Sequence, residues 1–263
     1  MKKKAQAPQQ LDALAYVAQN GDVPKLSDGK GPKPWHYRGW LVPYISQIDD
    51  RFWGRYRYHK DTIEAGRLLD APIPRIAFSR RATDVTKHLN ECCRLIGYDN
   101  GGWGDFTRLL EWLCFAVRAS SDYPRHIDEK AQEALYRKLN VGPMIQQPYD
   151  YLGDWVAERI GSGSWNPNAF FPTPHEVVEL MVQMQMGQGE DLRAKTVCDP
   201  CTGSGRMLMH ASNYSLRLYG IDIDPIAVAM CKINAALYVP WLAFPIPDAF
   251  FVQRYRESCS IFW

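Results

Sequence analysis

The sequence has no run of apolar residues close to the roughly 20 that a membrane-spanning helix requires. Its basic start, Met1 to Lys4, is followed by AQAPQQ rather than by an apolar segment, so neither a span nor a secretory leader is expected. A disulfide framework is missing as well. The seven cysteines (Cys92, Cys93, Cys114, Cys198, Cys201, Cys231 and Cys259) are odd in number and irregular in spacing, and most lie among apolar neighbours. That pattern fits a reducing compartment, and a soluble, cytoplasmic protein is expected. There is no internal repeat. There is no G-x-x-x-x-G-K-[ST] loop, which excludes a P-loop, and Leu208 stands where Gly203-x-Gly205 would need a third glycine to complete G-x-G-x-x-G. No Ser/His/Asp set or carboxylate pair stands out. Cys198-x-x-Cys201 has no second pair at metal spacing. No catalytic or metal-ligating residue is therefore assigned.

What is present is enough for a folded chain. The 263 residues are 46% hydrophobic and 23% charged, which supports a real core in one large or two smaller domains. Net charge is only +2, but it is unevenly spread. The first sixty residues hold eleven Lys or Arg, five Asp and no Glu, an excess of +6 that leaves the remainder at −4. Such a segment either meets a polyanion or is a solvated tail. Residues 1–34, broken by Gly21, Pro24, Gly29, Gly31, Pro32 and Pro34, read as a flexible basic arm.

Residues 35–148 read as a mainly helical domain. It opens with Trp35, His36, Tyr37, Arg38 and Trp40, then Arg51, Phe52, Trp53, Arg55, Tyr56, Arg57 and Tyr58. Interleaved rings and cations suit base stacking and phosphate pairing. They suit somewhat better a packed aromatic cluster whose arginines reach outward to solvent. Val85, His88, Leu89, Cys92, Cys93, Leu95 and Ile96 fall at helical spacing. After a break at Asn100-Gly101-Gly102, a helix capped by Asp105 or Thr107 is expected, apolar on nearly all sides and hence buried. A polar helix over about Asp128 to Leu139 ends before Gly142-Pro143.

From about residue 149 strand and helix patterns alternate, which predicts a parallel sheet. The order is a helix from Tyr149 to Ile160, the stretch GSGSWNPN, a helix from about His175 to Met186 closed by Gly187 and Gly189, and a strand from Lys195 to Asp199. A glycine turn, a helix from Arg206 to Tyr214, a strand from Leu216 to Ile223 and a helix from Pro225 to about Tyr238 follow. Asp199 ends the first strand. Gly203 and Gly205 permit positive φ and close approach of a ligand to the backbone, at the strand end where open α/β sheets bind ligands. Asp222 ends the second strand about twenty residues on, placed to accept both hydroxyls of a ribose. Asp224, directly before Pro225, reads as a helix cap.

These elements resemble a known family. Asp199-Pro200-Cys201-Thr202-Gly203-Ser204-Gly205 is similar to the D-P-A-x-G-S-G element of adenine-N6 DNA methyltransferases, above all the modification subunits of type I restriction-modification systems, with Cys201 for the usual Ala. Phe171-Pro172-Thr173-Pro174 and the helix from His175 resemble the family's T-P-x-x-V-V element. Gly220-Ile221-Asp222-Ile223-Asp224-Pro225 resembles G-x-E-I-x-P, with Asp for Glu, and Tyr149-Asp150-Tyr151-Leu152-Gly153-Asp154 resembles the helix before T-P. The resemblance covers about residues 149–248. It implies a partial Rossmann-like sheet over 149–263 that binds S-adenosylmethionine through Phe171, Thr173, Pro174, Asp199, Pro200, Thr202, Gly203, Gly205, Asp222 and Ile223. Pro247-Asp248-Ala249-Phe250 would match a third-strand element, with Asp248 reaching the cofactor's adenine. The family's catalytic [DNS]-P-P-[FYW] occurs nowhere in the sequence; Asn166-Pro167-Asn168-Ala169 lies on the wrong side of the glycine loop. The resemblance thus implies methyl transfer to adenine in DNA if another element completes the site. The alternative is a catalytically inactive cofactor- or DNA-binding module of a restriction, defence or phage complex. DNA, and a protein partner that completes the sheet or supplies specificity, are the expected partners.

Overall fold

The computed structural model describes residues 32–78, 81–97, 103–161, 170–186 and 191–251. The expected arm up to residue 31, the breaks at 100–102, 162–169, 187 and 189, and Cys259 lie outside these residues.

Apolar periodicity builds the helices of the first half. After a 3-10 turn at Pro34–His36 come α1 (Val42–Phe52) and α2 (Arg55–Ala65). Next are α3 (Thr83–Ile96), α4 (Trp103–Ala116), α5 (Glu129–Lys138) and α6 (Gly142–Gln146). α3 buries Val85, Leu89, Cys92, Cys93 and Ile96 along one stripe and ends at Gly97 with φ 66°. α4 is buried nearly all round, from Phe106 through Leu109, Leu110 and Trp112 to Ala116. It starts at Trp103, so Asp105 and Thr107 lie inside its first turns and do not cap it. α5 is capped as its sequence demands, with the Asp128 carboxylate accepting from Ala131 N at 2.9 Å.

The aromatic and basic stretch at 35–60 resolves to packing. Trp35, His36, Trp40, Arg55, Tyr56 and Tyr58 are buried. Trp40 packs against Trp112 and Tyr136 at 5.2 and 4.9 Å between ring centroids. Arg38 spends its guanidinium on the carbonyls of Ser120 and Arg118. These rings are unavailable for base stacking; burying them is worth more than exposing them. Of the rings and cations of this stretch Arg51, Phe52, Arg57 and Lys60 remain exposed.

The second half follows as α7 (Tyr151–Gly161), α8 (His175–Met186), β1 (Thr196–Asp199), α9 (Arg206–Ala211), β2 (Arg217–Gly220), α10 (Pro225–Tyr238) and α11 (Pro240–Ala243). β1 and β2 pair in parallel, Thr196 opposite Arg217 and Asp199 opposite Gly220. The ladder runs past the strand ends through Ile221 N to Asp199 O and Thr202 N to Ile221 O, both 2.9 Å. The architecture is therefore α/β, with a two-stranded parallel sheet among the described residues. α9 is shorter than its sequence pattern predicts and gives way to turns before Tyr214. The segment expected to match a third strand is a helical turn instead: Phe250 N and Phe251 N donate to Pro247 O and Asp248 O, and Phe251 is buried beneath the Arg217 guanidinium.

The core is continuous across residue 148. Phe106 of α4 stacks on Trp155 of α7 at 3.9 Å, and Tyr56 of α2 donates its hydroxyl to Ala236 O of α10. Among the described residues no helix is long and apolar enough to cross a membrane.

Candidate functional site: a cavity at the glycine loop

The loop between β1 and α9 is shaped by glycines that cannot be replaced without cost. Gly203 and Gly205 have φ of 54° and 88°. A Cβ on Gly205 would meet Cys231 Sγ at 2.8 Å, and one on Gly220 would meet Leu208 Cδ1 and Thr202 Oγ1 at 2.9 Å. The loop thus lies flush on α10 and on the end of β2. Asp222 fixes it from the other side: one carboxylate oxygen accepts from Gly203 N at 2.7 Å and the other from Asp224 N at 2.9 Å. Asp224 caps α10 by accepting from Ile226 N, as its place before Pro225 predicts.

These elements border a cavity of about 390 Å3. Phe171, Thr173, Asp199, Pro200, Thr202, Gly203, Asp222 and Ile223 line it, together with Phe170, Pro172, Cys201 and Ser204. Pro174 and Gly205 are not among its lining residues. Asp248 is not brought there; it is exposed and pairs with Arg217, the first residue of β2, at 3.0 Å, whereas the cavity sits beyond the last. Asp199, Asp222 and Asp224 outnumber Arg206 as charged groups on the wall. Phe171 and Ile223 are 75% and 92% exposed, unusual for side chains of their size.

Behind the cavity lies a polar network that motif reading alone did not assign. Asp150, fully buried, accepts from Ser204 Oγ, from Gly153 N at 2.9 Å, from Asn234 Nδ2 at 2.8 Å and from Arg206 Nε at 3.1 Å. Asn234 also donates to Ser204 O. Arg206 donates to Thr173 O and to Asp154, both at 2.7 Å. One carboxylate thereby joins α7, the loop before α8, the glycine loop and α10. Burial opposes the Arg206 charge, but Asp150 and Asp154 outweigh it and hold the guanidinium pKa above its ordinary value. A Cβ on Gly153 would collide with the Asp150 carboxylate and Ser204 Oγ. The signal available in the sequence was a polar residue in an apolar helix: Asn234 sits within KINAALY.

Beside this network His175 Nδ1 and His210 Nε2 lie 2.9 Å apart. Asp150 N can only donate, at 3.4 Å, so His175 Nε2 accepts and its Nδ1 carries the proton given to His210. Burial first, and the Arg206 charge second, push the two pKa values down to about 3 and about 4. Cys231 under the loop is raised to about 11, chiefly by burial. It is a packing thiol, not a nucleophile. Among the described residues no three His, Cys, Asp or Glu side chains converge as a metal site would.

Residues 149–239 match the N-6 DNA methylase family. The match begins at Tyr149 beside Asp150 and ends after α10, so it contains the network, the cavity wall and both strands. No curated protein and no solved structure matches the chain. The methylase match covers the loop, strand tips and T-P element; the helical half before residue 149 lies outside it.

Proposed function

We propose that the chain holds S-adenosylmethionine in the glycine-loop cavity and forms the cofactor half of an adenine-N6 DNA methyltransferase with a Rossmann-like sheet. The observation that carries this reading is Asp222, hydrogen-bonded to the loop backbone at Gly203 and placed just beyond the tip of β2. A carboxylate offers about four acceptor positions. Two are taken by Gly203 N and Asp224 N, which leaves room for a ribose diol. The excess of aspartates on the wall favours a cationic ligand with a sulfonium and an ammonium and disfavours the pyrophosphate of a dinucleotide. Thr173 and Asp199 would serve the methionine end, Gly203 the close backbone approach, and Ile223 the nucleoside.

Bound S-adenosylmethionine supplies an electrophilic methyl group. This chain's residues hold it, orient it and shield it. Transfer to a flipped adenine also needs the N-P-P-F-type element, which these 263 residues do not contain. A surface suited to receiving it is present. β1 pairs only with β2 among the described residues, and α8 buries His175, Val178 and Val182 while exposing Val177, Leu180, Met181 and Met184 on its opposite face. An exposed apolar helix face and a strand paired on one side only are features that a further polypeptide could cover. The methylase match supports DNA as the substrate and is consistent with a cytoplasmic setting.

Calorimetric titration of the chain with S-adenosylmethionine tests the reading. Asp222→Ala should weaken binding by about tenfold or more, since it removes charged hydrogen-bond acceptors from the ligand and frees Gly203. A folded wild-type chain that takes up no S-adenosylmethionine would sink it.

A further inference from the structure

Thr202 lines the glycine-loop cavity and also a separate one, of about 330 Å3, that shares no other lining residue with it. This separate cavity is walled by the segment just after α4, by α10, and by α11 with Pro245. We infer that it binds a small organic anion, a carboxylate or phosphate on an apolar body, and that the bound anion acts on the glycine loop. The first part stands independently of S-adenosylmethionine. The second rests on the proposed binding of that cofactor.

Charge gives the first argument. Arg118 and Lys232 are the charged residues of the lining, which holds no Asp or Glu. The glycine-loop cavity has the reverse balance, with aspartates outnumbering Arg206. A cationic ligand is disfavoured here and an anion favoured. Val117, Val228, Leu242, Ala243 and Pro245 add apolar wall, which a bare inorganic ion or a phosphodiester would leave uncovered. The backbone of Arg118 gives the second. Among the described residues it alone, glycine apart, has a positive φ, 69°. It stands where α4 ends: Arg118 N donates to Phe115 O and Ala119 N to Cys114 O. Glycine is the usual residue at such a helix end. An arginine there carries strain that its surroundings must hold. They do so: Arg38 donates to Arg118 O at 2.9 Å, and Gly39 leaves the space in which a Cβ would come within 3.2 Å of Arg118 Cβ. Position relative to the loop gives the third. Thr202, Gly220 and Cys231 belong to the cavity wall. Thr202 Oγ1 lies 3.9 Å from Cys231 Sγ, the atom that a Cβ on Gly205 would meet. An occupant in contact with Thr202 and Cys231 therefore bears on the loop.

The test combines methyl NMR and calorimetry on the full chain, with benzoate as the probe. Benzoate should shift the Val117, Val228, Leu242 and Ala243 methyl signals. Its neutral counterpart benzyl alcohol should bind about tenfold more weakly or worse, and benzylamine should not bind. Lys232→Gln changes an exposed side chain, and Arg118→Gly puts at φ 69° the residue that adopts it without strain, so both chains should fold. Each should weaken benzoate by about tenfold. Benzyl alcohol binding as well as benzoate, or both variants staying within about twofold of wild type, would overturn the anion site. Methyl shifts produced by a single-stranded oligonucleotide but not by benzoate would assign the two cations to nucleic acid and overturn it too. For the second part, saturating benzoate should change the affinity for S-adenosylmethionine by about threefold or more in wild type and not in the double variant. Unchanged affinity would end the coupling and leave the anion site standing. A wild-type chain that binds benzoate but no S-adenosylmethionine would sink the cofactor reading and the coupling together, again without touching the anion site.

Discussion

Among the described residues two arginines are buried, Arg55 at the start of α2 and Arg206 at the start of α9, and their partners differ in kind. Arg55 is fully buried and donates to Pro74 O, Ser212 Oγ and O, Tyr238 O and Asn213 Oδ1. Its guanidinium lies 4.7 Å above the Trp241 ring. None of these partners is charged. Burial therefore pulls its pKa down to about 9, with only Asp49 opposing. Arg206 is set between Asp150 and Asp154, and its pKa goes up. The first is a clamp that ties the helical half to the turn after α9 by satisfying carbonyls. The second is a charge held by charges, and what it positions is the wall of the glycine-loop cavity. Geometry alone makes the two look alike. The identity of their acceptors separates a structural cation from one that serves a site.

Removing Arg55 should have the largest effect on stability. Arg55→Met leaves several buried carbonyls without a donor, and loss on the order of 4 kcal/mol is expected in urea unfolding. Arg55→Lys should recover little, because an ammonium cannot reproduce the planar fork that spans Pro74, Ser212 and Tyr238. Substantial rescue by lysine would mean that charge, not fork geometry, matters at this position.

Asp150→Asn makes the Arg206 site resemble the Arg55 site by taking one charge from it. The new amide would face the donors of Ser204, Asn234 and Arg206. About 2–3 kcal/mol of stability should be lost. Binding of S-adenosylmethionine should fall more steeply than stability does, by about tenfold or more, because Thr173 O and the Ser204 turn lose their common anchor. Thermal melting beside calorimetry separates the two. Equal binding by wild type and a folded Asp150→Asn chain would show that the network is structural only.

The same contrast explains what could be read from the sequence. The glycine loop, the Asp222 tip and the Asp224 cap were legible because each depends on local chemistry: positive φ, a strand end, a residue before Pro225. The elements of the second half were legible for the same reason, since their apolar periods are short and clean. The aromatic and basic stretch was ambiguous, because whether a ring meets a base or another ring is decided by residues far along the chain, Trp112 and Tyr136 for Trp40. Asp150 stood inside a recognisable element, yet its role depends on Ser204, Arg206 and Asn234 more than fifty residues away. Asp248 was placed by analogy with a third strand. The chain forms a turn there, because Phe251 packs inward under Arg217.

Acid should act unequally on the two regions. Near Arg206, His175 and His210 have folded pKa values of about 3 and about 4, below the ordinary 6.5. Their contribution is whole above pH 6.5 and is lost as pH falls from there, because the unfolded chain takes up protons that the folded chain refuses. Near Arg55, burial raises the Asp49 pKa to about 6, against hydrogen bonding from Tyr56 N and the Arg55 charge. The folded state then holds a proton that the unfolded state has released, so acidification from pH 6 toward 4 favours folding there. Burial lowers His59 to about 4, which cancels Asp49 in that region. The imbalance that remains comes from the histidine pair, up to about 1.4 kcal/mol per pH unit for each member. Urea unfolding between pH 7 and pH 4.5 should show stability falling with acid. His175→Gln keeps an acceptor for Asp150 N and should make that fall shallower; Asp49→Asn should make it steeper. A His175→Gln chain with the wild-type slope would show that the pair is not buried in its neutral form, and the contrast between the two arginine sites would lose its electrostatic half.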